Sequence, residues 1–360
     1  MAKTDLRLAY LCDRTSAEHL SLGHAKSHMF DALSAHVSDV VDIPVSEAGT
    51  RLPRHVASQI QRGNFDVVFC GFTLVPLHKL DLPRSTVIAA APHAIRGLPG
   101  PAGFNLRWLD FGILNRPVTR WRSRRDRAAL KALDLILWPT DDVLNAAQSL
   151  FELSATRSFV LPWGANGFGA TASVSKMISY VAPVQLLFIG RDWPTCGGAV
   201  AFETLNILRM RGVDARLTVI GCIPPDTQIN EWMTVHPFLN LEIEDERNAY
   251  QDILCCAHFL LRPTVKGYGF TCCDASACGL PVLCYQLGHT PVRDGVNGHV
   301  LPVGSSADQF ANWVLSYLDS PGAFLALSRT AQIEFNKSLN WNVWGQKTAE
   351  ILAVACQSVR

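Results

Sequence analysis

The chain has 360 residues, 48% of them hydrophobic and 18% charged, a balance that excludes a disordered protein and fits a globular one. At about 150 residues per domain the length suggests two domains, and it buries enough surface to fold without a disulfide or a structural metal. Lys and Arg number 32 against 31 Asp and Glu, a net charge of +1, which argues against a chain built as a whole to bind nucleic acid.

Short apolar runs at residues 6–11, 67–70, 86–91, 135–138, 159–161, 186–189, 217–220, 259–261 and 281–284 read as buried strands. Helical patterns lie between many of them, at residues 25–35, 127–133, 143–151, 198–211 and 272–278, and a last one covers 341–359. Buried strands separated by helices predict parallel sheets made of βαβ units. The stretch LPWGANGFGATASVS at 161–175 is rich in Gly, Ser and Ala, lacks periodicity, and marks a domain boundary. Phe188-Ile189-Gly190 then opens a second βαβ series. The expected architecture is therefore α/β, with two Rossmann-like domains facing each other across a cleft and ligands beyond the carboxyl ends of the strands. The acidic EIEDER at 242–247 reads as a solvated loop.

Charge is unevenly spread. Residues 1–160 hold 19 basic and 15 acidic side chains, a net of +4, and residues 161–360 hold the other 13 and 16, a net of −3. The two halves are expected to face different partners. Eleven Cys include the adjacent pairs Cys255-Cys256 and Cys272-Cys273 and no Cys-x-x-Cys, a spacing that suits neither a disulfide framework nor a zinc site. MAKTDLRLAYLC does not read as a signal peptide, and no apolar run reaches the ~18 residues of a membrane span. A cytoplasmic location is expected.

Chemistry concentrates in RPTVKGYGFTCCDASACGLPVLCYQLGHTPVRDGVNGHVLPV, residues 262–303. A buried strand ends at Leu261, a turn containing Gly267 and Gly269 follows, and a helix begins near Phe270. Such a turn presents backbone N–H groups and the positive end of a helix dipole, which suits an anion. Asp274, one turn into the helix, is placed to hold a ribose diol. The same spacing also suits a plain strand–helix turn with a surface Asp. No Gly-x4-Gly-Lys-Ser/Thr, Gly-x-Gly-x-x-Gly, Asp-x-Asp or Gly-x-Ser-x-Gly occurs, so phosphate-loop, dinucleotide, metal-dependent transferase and serine-hydrolase readings have no support.

FIGRDWPTCGGAVAFE, LTVIGCIPP, PTVKGYGFTCCDASACGLPV, DGVNGHVLPV and LNWNVWG, in that order, resemble family-4 retaining glycosyltransferases of the GT-B fold (glycosyl transferase group 1). In the first half only the WGAN at 163–166 and the βαβ rhythm match. The resemblance implies an acceptor-side domain over 1–165, a nucleotide-sugar-binding domain over 176–340, and a last helix, about 343–360, that crosses back onto the first. It implies transfer of a hexose-like sugar from a nucleoside diphosphate sugar to a glycan or lipid-linked acceptor, without a metal or cofactor. It places Arg191 against the donor diphosphate, Gly190 beside the donor, Gly267, Gly269, Phe270 and Thr271 at the phosphates or donor sugar, and Asp274 on the ribose.

Two positions depart from the family pattern. Cys196 stands where the family has a Lys that shares the diphosphate charge, and Lys266 stands where it has the first Glu of Glu-x7-Glu. Lys266 is expected to take over the lost phosphate contact. The alternative is a catalytically silent nucleotide-sugar or glycan binding protein. Cys196 itself reads as a structural thiol near a helix start.

His93, in the loop APHAIRGLPG, sits where relatives contact the donor sugar, and Gly23 lies where they place a loop near the acceptor. The pair His24 and His28 has metal-ligand spacing without a third ligand and reads as a helix face. Between Arg116 and Lys131 seven basic residues, interleaved with Trp121, are opposed only by Asp126. With the aromatics just before them they suit an anionic membrane surface or a phosphorylated acceptor, which would make the protein peripheral on the inner face of the cell membrane. Nucleic acid is not an expected partner.

Overall fold

The structure, a computed structural model, describes residues 3–13, 20–46, 52–72, 74–92, 127–172, 176–265 and 267–359. The chain divides into two compact units, residues 1–164 with 341–360, and residues 165–340.

Unit 1 runs β1 (Thr4–Asp13), α1 (Leu20–His36), β2 (Val37–Val45), α2 (Arg54–Arg62), β3 (Val67–Gly71), β4 (Val87–Ala91), β5 (Leu135–Trp138), α3 (Asp141–Phe151) and β6 (Ser158–Val160). Its sheet has the order β2-β1-β3-β4-β5-β6, with every pair parallel. The central strands read as unbroken apolar runs because both faces are covered: every residue of β3 and β5 is buried. Leu11, Val68, Ile136, Trp138 and Phe151 meet in one core. Helix α3 starts where Thr140 accepts a hydrogen bond from the Val143 amide at 3.3 Å, and Asp141 and Asp142 in its first turn complement the helix dipole.

Unit 2 runs β7 (Val184–Ile189), α4 (Trp193–Cys196), α5 (Gly198–Met210), β8 (Ala215–Ile220), β9 (Met233–His236), α6 (Glu244–Cys256), β10 (Phe259–Arg262), α7 (Phe270–Ala277), β11 (Val282–Tyr285), β12 (Gly298–Leu301), α8 (Ala307–Leu318) and α9 (Pro321–Ser338). Its strands are ordered β12-β11-β10-β7-β8-β9, again all parallel. Phe188, Leu205, Phe259, Leu283, Phe310 and Phe324 anchor the core. A Ser306–Gln309 capping box opens α8, and Pro321 fills the first turn of α9, where a missing N–H costs nothing.

The apolar runs correspond to nine strands; β2, β9 and β12 were not read from the sequence. All three are sheet edges, and in β2 and β9 the burial pattern breaks up. The acidic stretch at 242–247 is not a loop: Glu244, Asp245 and Glu246 form the first turn of α6, favoured by the dipole of the helix they begin.

The last helix, α10 (Trp341–Val359), belongs to unit 1. Trp344 packs edge-on to Phe69 of β3 at 6.1 Å, Trp341 stacks with His28 of α1, and His36 Nε2 lies 2.9 Å from Asn342 Oδ1. The helix axes come close at Gly345, where an added Cβ would lie 2.5 Å from the Ala32 carbonyl oxygen. Gly345→Ala is expected to push α10 off α1 and lower the stability of unit 1 by about 1–3 kcal/mol. Gly322→Ala, where a Cβ meets nothing within 4 Å, should be neutral or mildly stabilising; urea unfolding of both variants checks this.

Candidate functional site

In the sheet of unit 2, β7 lies beside β10, with Phe188 opposite Leu261. The chain leaves β7 toward β8 on one side and leaves β10 toward β11 on the other. This reversal of strand order is a topological switch point, and it opens a crevice at the carboxyl ends of the two strands, where such sheets bind ligands. Gly190 and Arg191 follow β7, and Pro263, Gly267 and Gly269 follow β10, so the fold brings both stretches to that point.

The exits are built on close backbone contact. Asp192 caps α4 by accepting the Thr195 amide at 2.8 Å, and Thr264 Oγ1 donates to the Thr195 carbonyl at 3.2 Å. Gly197, between α4 and α5, has φ +84°, and a Cβ there would lie 1.9 Å from the Pro263 carbonyl oxygen, so only glycine lets the two exits touch. Gly269 has φ +92° and is the N-cap of α7, which starts at Phe270. The amide end of α7, with Thr271 in its first turn, therefore opens at the carboxyl edge of the sheet.

Gly190, Arg191, Gly267, Gly269, Phe270, Thr271 and Asp274 all belong to these two exits. Arg191 is exposed, and its partial burial lowers its pKa, an effect opposed by Cys196. Cys196 ends α4 and packs on Gly190, where an added Cβ would sit 2.7 Å from its own. Lys266 and His93 lie outside the described residues, as does most of the basic run from Arg116 to Lys131, only 127–131 of it being described. Gly23 falls in the first turn of α1 rather than in a loop. Among the described residues no group of three His, Cys, Asp or Glu is arranged for a metal ion, and no helix is long and apolar enough to cross a membrane.

Asp274 is not a surface residue. Its side chain is 2% exposed; Oδ1 accepts from the Gly167 amide at 2.7 Å, and Oδ2 accepts from the Tyr250 hydroxyl of α6 at 2.9 Å. Gln251 Nε2 donates to the Gly167 carbonyl at 2.6 Å, so the segment around Gly167 is held to both α6 and α7. Burial raises the Asp274 pKa to about 6 against the opposing pull of these hydrogen bonds. Burial, and then Asp274 itself, raises that of Tyr250 well above its usual value.

Two polar residues at this edge were not singled out from the sequence. Arg262, the last residue of β10, is 6% exposed, and its Nη2 donates to the Gly267 carbonyl at 2.7 Å, so a guanidinium lies beneath the glycine turn. His289, in the loop after β11, is buried too; burial first, and the Arg262 charge second, lower its pKa to about 4, which keeps it neutral near pH 7. A cation closing an otherwise apolar strand, as in FLLR, is the signal that marks Arg262.

Two doubly wound, all-parallel domains in one chain are the GT-B fold of glycosyltransferase structures. The chain aligns with WaaG, a glycosyltransferase involved in lipopolysaccharide biosynthesis, over 96% of its length and 99% of that chain (TM-score 0.62, 16% identity). It aligns over 98% of both chains with a glycosyltransferase from Rickettsia africae (TM-score 0.64, 11% identity). It also aligns over 97% of its length and all of Anabaena Alr3699/HepE, solved in complex with UDP (TM-score 0.61, 14% identity). At these identities the likeness is one of fold. A sequence model of the family described as Glycosyl transferases group 1 matches residues 183–320, the span that carries both exits of the switch point. No protein of curated function matches the sequence.

The Asp274 network sets a stability test. A carboxyl whose native pKa lies above its unfolded value holds its proton longer in the folded state, so stability falls as pH rises from about 4 to about 6. Asp274→Asn keeps an acceptor for the Gly167 amide and removes the buried charge. It is expected to be more stable than the native chain at pH 7 by about 1–3 kcal/mol, with the difference vanishing near pH 4. Urea titrations at the two pH values measure it; a variant less stable at pH 7 would show that the hydrogen bonds to the charge outweigh its desolvation.

Proposed function

We propose that this chain is a retaining, metal-independent glycosyltransferase that moves a sugar from a nucleoside diphosphate sugar to a glycan or lipid-linked acceptor. The observation that carries this reading is the switch point between β7 and β10, where Arg191 and the glycine-bounded amide end of α7 converge within the span matched by the group 1 model. An amide terminus beside a cation is an anion site. In this reading Gly190, Gly267 and Gly269 let the diphosphate approach the backbone, and Phe270 and Thr271 present the first amides of α7. Arg191 and Lys266 offset the charge that develops on the departing diphosphate, the term that electrostatic catalysis acts on.

In this reading Asp274, whose carboxyl fixes the Gly167 turn, also holds the ribose. Its burial supports a binding role: a charge that lowers stability at neutral pH, at a position where Asn would make similar hydrogen bonds, fits a residue retained for function. His93 contacts the donor sugar and Gly23 lies on the acceptor side. The basic residues between Arg116 and Lys131 meet a phosphorylated or lipid-linked acceptor, or the anionic inner face of the cell membrane, as in polysaccharide synthesis. Since HepE is solved with UDP and with UDP-glucose, uridine diphosphate is the first base to test.

A second reading, a catalytically silent nucleotide-sugar or glycan binding protein, is favoured by one observation: Cys196, whose Cβ packs on Gly190, stands where the family pattern has a lysine. Calorimetric titration with a panel of nucleoside diphosphates and their sugars is expected to give micromolar binding of one base, lost in Asp274→Ala. Binding by none would overturn the transferase reading. Arg191→Ala should weaken nucleoside diphosphate binding about 10–100-fold, the loss of a charge-assisted hydrogen bond to phosphate. Lys266→Glu should do the same if Lys266 has taken over the phosphate contact, and unchanged affinity would show that it has not. Slow release of nucleoside diphosphate from the sugar donor without acceptor separates the transferase from the silent protein.

A further inference from the structure

All eleven cysteines are free thiols, and eight of them are buried. Two stand apart from the rest. Cys255, in the last turn of α6, and Cys278, the C-cap of α7, place their sulfurs 3.2 Å apart, about 1.2 Å more than the ~2.05 Å of a disulfide bond. Cys255 is partly exposed and Cys278 is buried, which is the arrangement of an attacking thiol backed by a resolving one. A cation stands beside them: buried Lys176 donates through Nζ to the carbonyls of Leu254 at 2.9 Å and Ala257 at 2.7 Å, and to that of Cys255 itself.

We propose that Cys255 and Cys278 form a peroxide-oxidisable pair that closes into a disulfide joining α6 to α7. In the first step the Cys255 thiolate attacks one oxygen of hydrogen peroxide. An S–O bond forms, the O–O bond breaks, and hydroxide leaves and is protonated to water. In the second step Cys278 attacks the resulting sulfenic sulfur. The S–S bond forms, the S–O bond breaks, and the second water leaves with the Cys278 proton. Two thiols lose two electrons in all, and one peroxide is reduced to two waters.

The surroundings favour Cys255 as the attacking sulfur. Its pKa is lowered below the ordinary thiol value, first by the hydrogen bond from Cys278 and then by the Lys176 charge, against burial and Asp252. That of Cys278 moves the other way, raised by the same hydrogen bond, by burial and by the negative charges of Cys255 and Asp274, with Lys176 opposing. Lys176 also faces Cys256, and burial lowers its own pKa to about 8. Cys272 and Cys273, by contrast, are buried thiols whose pKa burial raises. The bridge would run about one turn beyond the Tyr250–Asp274 hydrogen bond on the same two helices.

The test uses the full chain, one equivalent of hydrogen peroxide, alkylation of the remaining thiols and peptide mass spectrometry. The free thiol count is expected to fall by two from eleven, with a dithiothreitol-reversible cross-link between the peptides of Cys255 and Cys278. Cys256→Ser should leave the cross-link intact. Cys278→Ala should abolish it and leave Cys255 as a sulfenic acid that dimedone traps. Alkylation of Cys255 in the native chain should reach half its maximal rate at a lower pH than the ~8.5 of an ordinary thiol. Oxidation confined to Cys256, a Cys255–Cys256 or intermolecular disulfide, or Cys255 and Cys278 both remaining open to alkylation would overturn the proposal.

Discussion

The carboxyl edge of the unit 2 sheet depends on one constraint: β7 and β10 run parallel and adjacent while their onward connections part in opposite directions. No helix can cover the carboxyl ends of both strands at once, so the crevice there is a product of topology rather than of side-chain choice. Sequence then decides what lines it. Gly197 against Pro263 lets the two exits touch, Gly269 turns the chain into α7, and the remaining positions are free to carry charge. The span matched by the group 1 family model covers this constraint, and unit 1 is a separate sheet with its own core.

The Asp274 cluster shows how a buried charge is held in place at a cost in stability near neutral pH. A fully buried carboxylate accepts from Gly167 and Tyr250, and Gln251 completes the grip on the Gly167 segment. A surface aspartate one turn into a helix could hold a ligand only loosely, because its side chain would keep its rotamer freedom. Here the carboxylate is fixed by its hydrogen bonds to Gly167 and Tyr250, and its burial raises its pKa. The buried Arg262 beneath Gly267 fixes the neighbouring turn in the same way.

Much of the fold was legible because its central strands are buried on both faces: FLLR, LILW and VVFCG leave no other reading. The strands that escaped, β2, β9 and β12, sit at sheet edges: half-exposed residues interrupt β2 and β9, with Pro44 in β2, and Gly298 and His299 leave β12 without an apolar run. EIEDER misled because acidic residues favour helix starts as readily as loops. At the site, Gly267, Gly269 and the start of α7 were legible from spacing alone, since a strand, a glycine pair and a helix leave few conformations. Burial of Asp274 was not legible, because it depends on Tyr250 and Gly167, 24 and 107 positions away in the chain. Arg262 was missed for a related reason: a charge at a strand end looks like a surface residue until the turn above it closes.

The placement of α10 has a consequence for the order in which the molecule can be assembled. Unit 2 is a single continuous stretch, whereas unit 1 is interrupted by it and regains its last helix only after residue 340. During synthesis the whole of unit 2 therefore leaves the ribosome before unit 1 has all its parts. Until then the faces of α1 and β3 that receive Trp341, Trp344 and Gly345 stay open to solvent or to a chaperone. The amino-terminal unit, first to be made, is the last to be completed.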